Sequence, residues 1–274
     1  MTQIWCNGQW LPAANYPGSA QDRGAFLGLG LFETMLGLDG KLVFPERHLA
    51  RLHKSAERLG WSVDLPGLPE IAAELLEKNQ LTIGRARLRL VVTAGSGTHN
   101  DLTPGDDRLV WLSAFPAGET PGSLSVCLSP WPRNERSPLA GLKTACYAEN
   151  IIALDHARRQ GFEETIFANT AGHLCETATA NLFLVIDGVL LTPPLDSGCL
   201  PGIGREVLLE MAAAHAIPTR EYPLTPRSLD SADEIFVSSA TRGPVPVTRC
   251  GDRGLAVGLV TERLRALWEQ EIRV

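Results

Sequence analysis

Lysine is scarce in this chain of 274 residues: four lysines stand against twenty-one arginines. Long apolar runs are missing too, and none approaches the ~20 residues that span a bilayer. The start, Met1-Thr-Gln-Ile-Trp-Cys-Asn-Gly8, has neither the basic opening nor the apolar stretch of a signal peptide, so a cytoplasmic protein with no membrane partner is expected. Positive charge is not in excess: the net charge of −6 argues against non-specific nucleic-acid binding and favours solubility. The six cysteines (Cys6, Cys127, Cys146, Cys175, Cys199, Cys250) contain no C-x-x-C pair, and the six histidines no H-E-x-x-H. No metal site is expected, and a reducing compartment leaves such cysteines as small buried hydrophobes. Gly28-Leu-Gly30 lacks the third glycine of a dinucleotide loop, and G-x-x-x-x-G-K-[ST] is absent. No repeat or low-complexity tract appears.

What is present has the composition of a globular protein, 44% apolar and 20% charged, with length for one large or two modest domains. Asn7-Gly8, Asp39-Gly40 and Asp187-Gly188 each sit between strand-like runs and predict hairpins. Pro45 opens a helix reaching about Leu59, with Leu49, Leu52, Ala56 and Leu59 on one face; a second helix covers Leu68–Lys78. Arg85–Thr93 and Leu109–Phe115 read as neighbouring strands. The shift to Ala-Gly-Glu-Thr-Pro-Gly predicts a linker over 116–123 between an N-terminal α+β domain, 1–115, and a second domain, 124–274. In the second domain, strands are expected at Leu124–Leu128, Thr165–Ala168, Leu182–Ile186, Val189–Leu191 and Glu234–Ser238. Helices are expected from near Tyr147, at Ile203–Ala216 and at Leu259–Ile272.

Four segments could carry chemistry. Lys143, the last lysine, lies in Pro138-Leu-Ala-Gly-Leu-Lys-Thr-Ala-Cys-Tyr147 with no charge within five residues on either side. An amine in apolar surroundings loses its proton more readily than a guanidinium, which suits Schiff-base chemistry; the plainer reading is a lysine whose stem lies on apolar surface. Glu176 stands just ahead of a buried-looking strand, or is a solvated loop carboxylate. Pro201-Gly202-Ile203-Gly204-Arg205 leads into a helix whose free N–H groups could hold a phosphate, or is ordinary helix punctuation. Arg51, flanked by core-facing residues, could grip a phosphate bidentately, or is one more surface base.

Their order and wording resemble the fold-type IV pyridoxal-phosphate enzymes, a family of branched-chain and D-amino-acid aminotransferases and aminodeoxychorismate lyases. The matching text runs nearly end to end: Phe32-Glu33-Thr34, Glu46-Arg-His48-Leu-Ala-Arg51-Leu52, Leu142-Lys143, Glu149-Asn150, Glu176-Thr-Ala-Thr-Ala-Asn181-Leu-Phe183, Asp187-Gly188, Leu200-Pro-Gly-Ile203 and Glu234-Ile-Phe-Val-Ser-Ser-Ala240. The resemblance implies a two-domain α+β homodimer acting on a small molecule, with pyridoxal 5′-phosphate in the cleft between domains. It makes Lys143 the residue that binds the cofactor covalently and then serves as acid and base. Glu176 would pair with the pyridine nitrogen. Arg51, the N–H groups of Ile203 and Gly204, and Ser239–Ala240 would hold the phosphate, with Tyr147 near the ring hydroxyl.

Those residues are common to the family and do not choose the reaction. Aminodeoxychorismate lyases resemble this chain in carrying threonine at the Thr34 position, where branched-chain enzymes tend to have glycine. Thr34 is therefore the expected proton relay in release of pyruvate from 4-amino-4-deoxychorismate, a step of folate synthesis; the plainer reading is a β-branched strand residue. An aminotransferase of a D-amino acid, a branched-chain amino acid or an amine is the alternative, and a non-catalytic regulatory protein a remote one. Lyases often have an arginine in the loop after the Arg85–Thr93 strand. The loop here, Ala94-Gly-Ser-Gly-Thr-His-Asn-Asp-Leu102, has none; Arg242, next to the expected phosphate loop, is a candidate replacement anchor for the substrate or, equally, a surface residue.

Overall fold

The computed structural model describes residues 1–97, 105 and 107–273. They form two compact units: Met1–Glu119 together with Leu142–Tyr147, and Thr120–Gly141 together with Ala148–Val274. The return of Leu142–Tyr147 to the first unit is a feature no single boundary in the sequence expresses.

The first unit contains β1 (Gln3–Cys6), β2 (Gln9–Pro12), α1 (Arg23–Leu27), β3 (Gly30–Leu38), β4 (Lys41–Leu42), α2 (Pro45–Arg58), α3 (Leu68–Lys78), β5 (Arg85–Thr93) and β6 (Val110–Pro116). The strands make one antiparallel sheet in the order β2-β1-β6-β5-β3-β4. Asn7-Gly8 and Asp39-Gly40 both hold two successive positive φ angles, 43° and 84°, then 47° and 83°. That is the geometry that lets a two-residue turn follow the twist of its strands. Pro45 sits in the first turn of α2, where its missing N–H costs nothing. The helix buries Leu52 and Ala56 with Met35, Leu75, Leu76, Leu88 and Leu90, and Leu49 and Leu59 pack on the edge of this cluster.

The segment Leu142–Tyr147 is held to β3 by its backbone. Phe32 N–H donates to the Lys143 carbonyl (2.9 Å), Ala145 N–H to the Gly30 carbonyl (2.7 Å), and Leu31 and Thr144 form an antiparallel bridge. Lys143 is thus fixed against the first residues of β3.

The second unit contains β7 (Leu124–Leu128), α4 (Ala148–Arg159), β8 (Glu164–Ala168), β9 (Leu174–Thr177), β10 (Asn181–Ile186), β11 (Val189–Thr192), α5 (Ile203–Ala214), β12 (Thr219–Glu221), α6 (Pro226–Ser231), β13 (Glu234–Ser239), β14 (Gly243–Cys250), β15 (Arg253–Gly254) and α7 (Leu259–Glu271). Its sheet runs β12-β11-β10-β13-β14-β7-β8-β9, and β9 also pairs with β10. Six strands (β10, β13, β14, β7, β8, β9) therefore close into a ring, and the closing pair is Glu176 opposite Asn181. Leu124, Val126, Ile166, Leu182, Leu184, Val237, Val245 and Val247 fill the adjoining core.

Three expectations change. Glu176 does stand ahead of a buried strand, β10, but it also lies inside a short strand of its own, β9. β14, with Pro244 and Pro246, is a full strand that the sequence reading left out. Of the six cysteines, all free, four are buried, but Cys146 is exposed and Cys250 only partly covered. No helix among the described residues is long and apolar enough to cross a membrane.

Candidate functional site

In the first unit, strand alternation sorts β3 into two faces. Leu31, Glu33 and Met35 point toward the core under α2, while Phe32 and Thr34 share the other face. On that open face the Lys143 amine lies 4.3 Å from the centre of the Phe32 ring, and the Tyr147 ring meets Phe32 edge to face at 5.5 Å. Arg89 of β5 is the direct partner of Thr34 in the sheet register, and Ser113 of β6 is the next across. The Arg89 guanidinium also lies over Phe32, 4.2 Å from the ring centre. Lys143, Tyr147, Thr34 and Arg89 are thereby gathered around one aromatic ring. Arg87, two residues along β5 and directly opposite Leu36, belongs to the same face.

Arg51 is held from the core side. Its Nε donates to Glu33 Oε1 (2.8 Å) and its Nη2 to Glu33 Oε2, while His48 Nδ1 meets Oε2 at 2.7 Å. The bidentate grip expected for a phosphate is thus made to a carboxylate. Burial alone would push the Glu33 carboxyl upward, but the Arg51 charge and the donors from His48 and Arg51 outweigh it and hold the carboxyl down at about 2. His48 moves downward because burial disfavours its charged form. That direction favours the neutral ring, and since an ionised carboxylate can only accept, the nitrogen that carries a proton toward Glu33 is Nδ1.

The second unit holds Glu176 by a backbone N–H. Leu200 N–H donates to Glu176 Oε2 (3.0 Å), and Asn181 Nδ2 donates to the Leu200 carbonyl (2.9 Å). The strand pair that closes the sheet thus grips Leu200 from both of its peptide groups, just ahead of α5. Gly202 caps α5 without any side-chain cap, so its first N–H groups, those of Ile203 and Gly204, keep the positive end of the helix dipole. A Cβ on Gly204 would lie 2.9 Å from Ser238 Oγ and 3.0 Å from the Ser239 carbonyl carbon. The helix start is pressed against the end of β13, where Ser239 and Ala240 are partly covered. Ser238 Oγ is buried with no hydrogen-bond partner among the described residues.

Arg242 bridges the turn after Glu176 and the end of β13: Nη2 donates to Thr179 Oγ1 (2.8 Å) and Nε to Ser239 Oγ (3.3 Å). Thr179 in turn donates to Glu164, a carboxyl 2% exposed that also accepts from the N–H groups of Thr165 and Ala178. Burial pushes the Glu164 carboxyl upward, against these bonds. The network ties Arg242 to the turn that follows Glu176.

Two residues escaped the sequence reading. Arg89 lies in the expected strand Arg85–Thr93, and its pairing with Thr34 across the register is the missing signal. Arg133 of the second unit lies 4.3 Å over the Phe167 ring, donates to Asn150 Oδ1 (3.1 Å) and brings Nη2 to 3.8 Å from Glu176 Oε1. Its motif, Pro132-Arg133-Asn134, precedes Lys143 by ten residues and was not singled out. The loop without an arginine falls largely in residues 98–104, outside the described residues.

The first unit thus offers an amine beside an aromatic ring, and the second, by itself, a carboxylate that accepts from a backbone N–H and a helix start without a side-chain cap. The chain belongs to the family of class IV amino-transferases, whose model matches residues 30–250. It has the fold-type IV architecture of that pyridoxal-phosphate-dependent family. The chain is 32% identical to the branched-chain-amino-acid aminotransferase of Salmonella typhimurium, over 89% of this chain and 83% of that protein. Among solved structures it resembles a Legionella pneumophila protein named "Putative 4-amino-4-deoxychorismate lyase", with a TM-score of 0.87, 28% identity and coverage of 92% and 94%. It equally resembles a Brucella abortus aminotransferase bound to pyridoxal phosphate, with a TM-score of 0.87, 26% identity and 99% coverage of both chains.

Proposed function

We propose that this enzyme is a lyase that converts 4-amino-4-deoxychorismate to 4-aminobenzoate and pyruvate. The observation that carries the reading is the open face of β3. There a hydroxyl, Thr34, stands directly opposite a guanidinium, Arg89, beside the ring on which the Lys143 amine rests. The two carboxylates of such a substrate would meet complementary charge there in Arg89 and Arg87, while its amine would displace Lys143.

Bound pyridoxal phosphate would supply an electron sink for the carbanion formed next to the substrate nitrogen. The residues divide the remaining work. Lys143 would hold the cofactor covalently at its amine, and once displaced by the substrate amine it would take the proton from the carbon bearing nitrogen. Glu176, oriented by the Leu200 N–H, would keep a proton on the ring nitrogen. Ile203 and Gly204 N–H groups, Ser239, Ala240 and Arg51 would hold the phosphate, and Tyr147 would lie near the ring hydroxyl. As the carbocycle becomes aromatic, the carbon–oxygen bond to the enolpyruvyl group breaks. Thr34 would relay the proton that turns the leaving enolpyruvate into pyruvate. No water is consumed, and the proton lost from the ring is regained by pyruvate. Arg242, tied between Thr179 and Ser239, would serve as a secondary anchor for a substrate carboxylate. The working enzyme would be a homodimer.

The second reading is transamination, and the 32% identity to a branched-chain aminotransferase favours it. One experiment separates the two. The purified protein is given 4-amino-4-deoxychorismate and, in parallel, a panel of amino donors with a keto-acid acceptor. Borohydride reduction of a separate sample, which is not assayed, should leave the cofactor on the Lys143 peptide. Formation of 4-aminobenzoate and pyruvate in equal amounts is expected, falling about 10²-fold in Thr34→Val. Amino transfer without 4-aminobenzoate would overturn the lyase.

A further inference from the structure

Glu33 is the middle residue of Phe32-Glu33-Thr34, and no step above uses it. It is nonetheless a fully buried carboxylate, 1% exposed, on the core face of β3 between Leu31 and Met35. Each of its oxygens accepts from Arg51, and Oε2 accepts a second bond from His48. A buried ion pair is seldom a net source of stability compared with apolar packing, so its presence asks for another reason.

We propose that Glu33 is a positioning residue for the cofactor phosphate: it locks the Arg51 guanidinium in one orientation, with His48 fixing the carboxylate that does so. The inference rests on the reading that Arg51 contacts the phosphate. Arginine otherwise loses much rotamer freedom when it binds an anion, and a fork fixed in advance removes that loss. The same contact has an opposing effect, because the carboxylate neutralises part of the charge that attracts phosphate. With His48 neutral, Arg51 and Glu33 sum to zero charge. Orientation and neutralisation predict opposite signs for removal of Glu33, which makes the proposal testable.

Apo-protein is titrated with pyridoxal phosphate and, separately, with pyridoxal, which lacks the phosphate, and binding is followed by the absorbance of the bound cofactor. The Kd for pyridoxal divided by the Kd for pyridoxal phosphate isolates the phosphate contribution. Any loss of fold shifts both ligands alike and cancels. In Arg51→Ala the ratio should fall at least about 10-fold; no fall would remove Arg51 from the phosphate site, and the proposal with it. In Glu33→Gln the ratio should also fall about 10-fold or more, with the Kd for pyridoxal little changed. Glu33→Asp keeps the charge but withdraws the fork by one methylene, and should show the same loss if orientation matters. A normal ratio in both Glu33 variants beside a reduced one in Arg51→Ala would leave the Arg51 reading standing and refute the role of Glu33. Tighter pyridoxal-phosphate binding in Glu33→Gln would refute it too, since neutralisation would then dominate.

Discussion

Replacing Gly204 with alanine sets two effects against each other, and the structure decides between them. Within a helix, alanine is favoured over glycine by up to about 1 kcal/mol, so propensity alone predicts a more stable protein. The new Cβ, however, would stand 2.9 Å from Ser238 Oγ, 3.0 Å from the Ser239 carbonyl carbon and 3.1 Å from its oxygen. Two of these neighbours are backbone of β13 and cannot swing aside, so α5 or the strand end has to move. Overpacking of this kind costs about 1–3 kcal/mol, which exceeds the propensity gain. A net loss of about 1–2 kcal/mol in the apo-protein should lower Tm by roughly 2–8 °C for a chain of this size. The displaced helix start carries the N–H groups of Ile203 and Gly204, so pyridoxal-phosphate affinity should fall by more than the fold does, about 10-fold or beyond. Differential scanning fluorimetry of the apo-protein and a cofactor titration measure the two separately. Gly118→Ala, where a Cβ would meet nothing within 4 Å, is the control and should change neither. A Gly204→Ala protein with unchanged or raised Tm and wild-type cofactor affinity would refute the account of the helix start as a close-fitted cradle.

Glu176→Gln should keep the fold and most of the cofactor affinity while losing most of the activity, because an amide no longer favours the protonated ring nitrogen. Near-wild-type turnover would remove Glu176 from that role. Acid should weaken the apo-protein through Glu33, whose folded carboxyl lies at about 2 against an ordinary 4.5. A depressed carboxyl stabilises fully above its unfolded value and loses that contribution as pH falls toward the folded one. In urea unfolding, the stability gap between wild type and Glu33→Gln should therefore shrink by about 2 kcal/mol from pH 6 to pH 3, and a constant gap would contradict the pairing.

Local signals carried much of this fold into the sequence. The X-Gly turns set the three hairpins, and Pro45 with the spacing of Leu49, Leu52 and Ala56 set α2. What stayed hidden depends on partners far along the chain. β9 is four residues long and is a strand because β8 and β10 flank it. β14 carries two prolines, a pattern that argues against a strand, yet its pairing with β7 begins at Val247, beyond both of them. The candidate site divides the same way. Lys143 and Glu176 stood out by chemistry and wording. Glu33 as the partner of Arg51, eighteen residues away, and Arg89 as the neighbour of Thr34 follow only from helix packing and register.

The two-faced build of the first sheet bears on how such an enzyme can be altered. Because side chains alternate, Thr34, Arg87, Arg89 and Ser113 look away from the packed cluster of Met35, Leu88, Leu90 and Leu112. At Thr34, Arg87 and Arg89, none of them buried, substitutions can accumulate without opening a void behind them, so selection or a library can sample many before folding fails. Glu176 offers no such latitude, since it is the rivet of a closed ring and any shift there must unzip hydrogen bonds on two strands. New substrates should therefore be sought by varying the open face of β3 and β5, with the ring of the second unit left untouched.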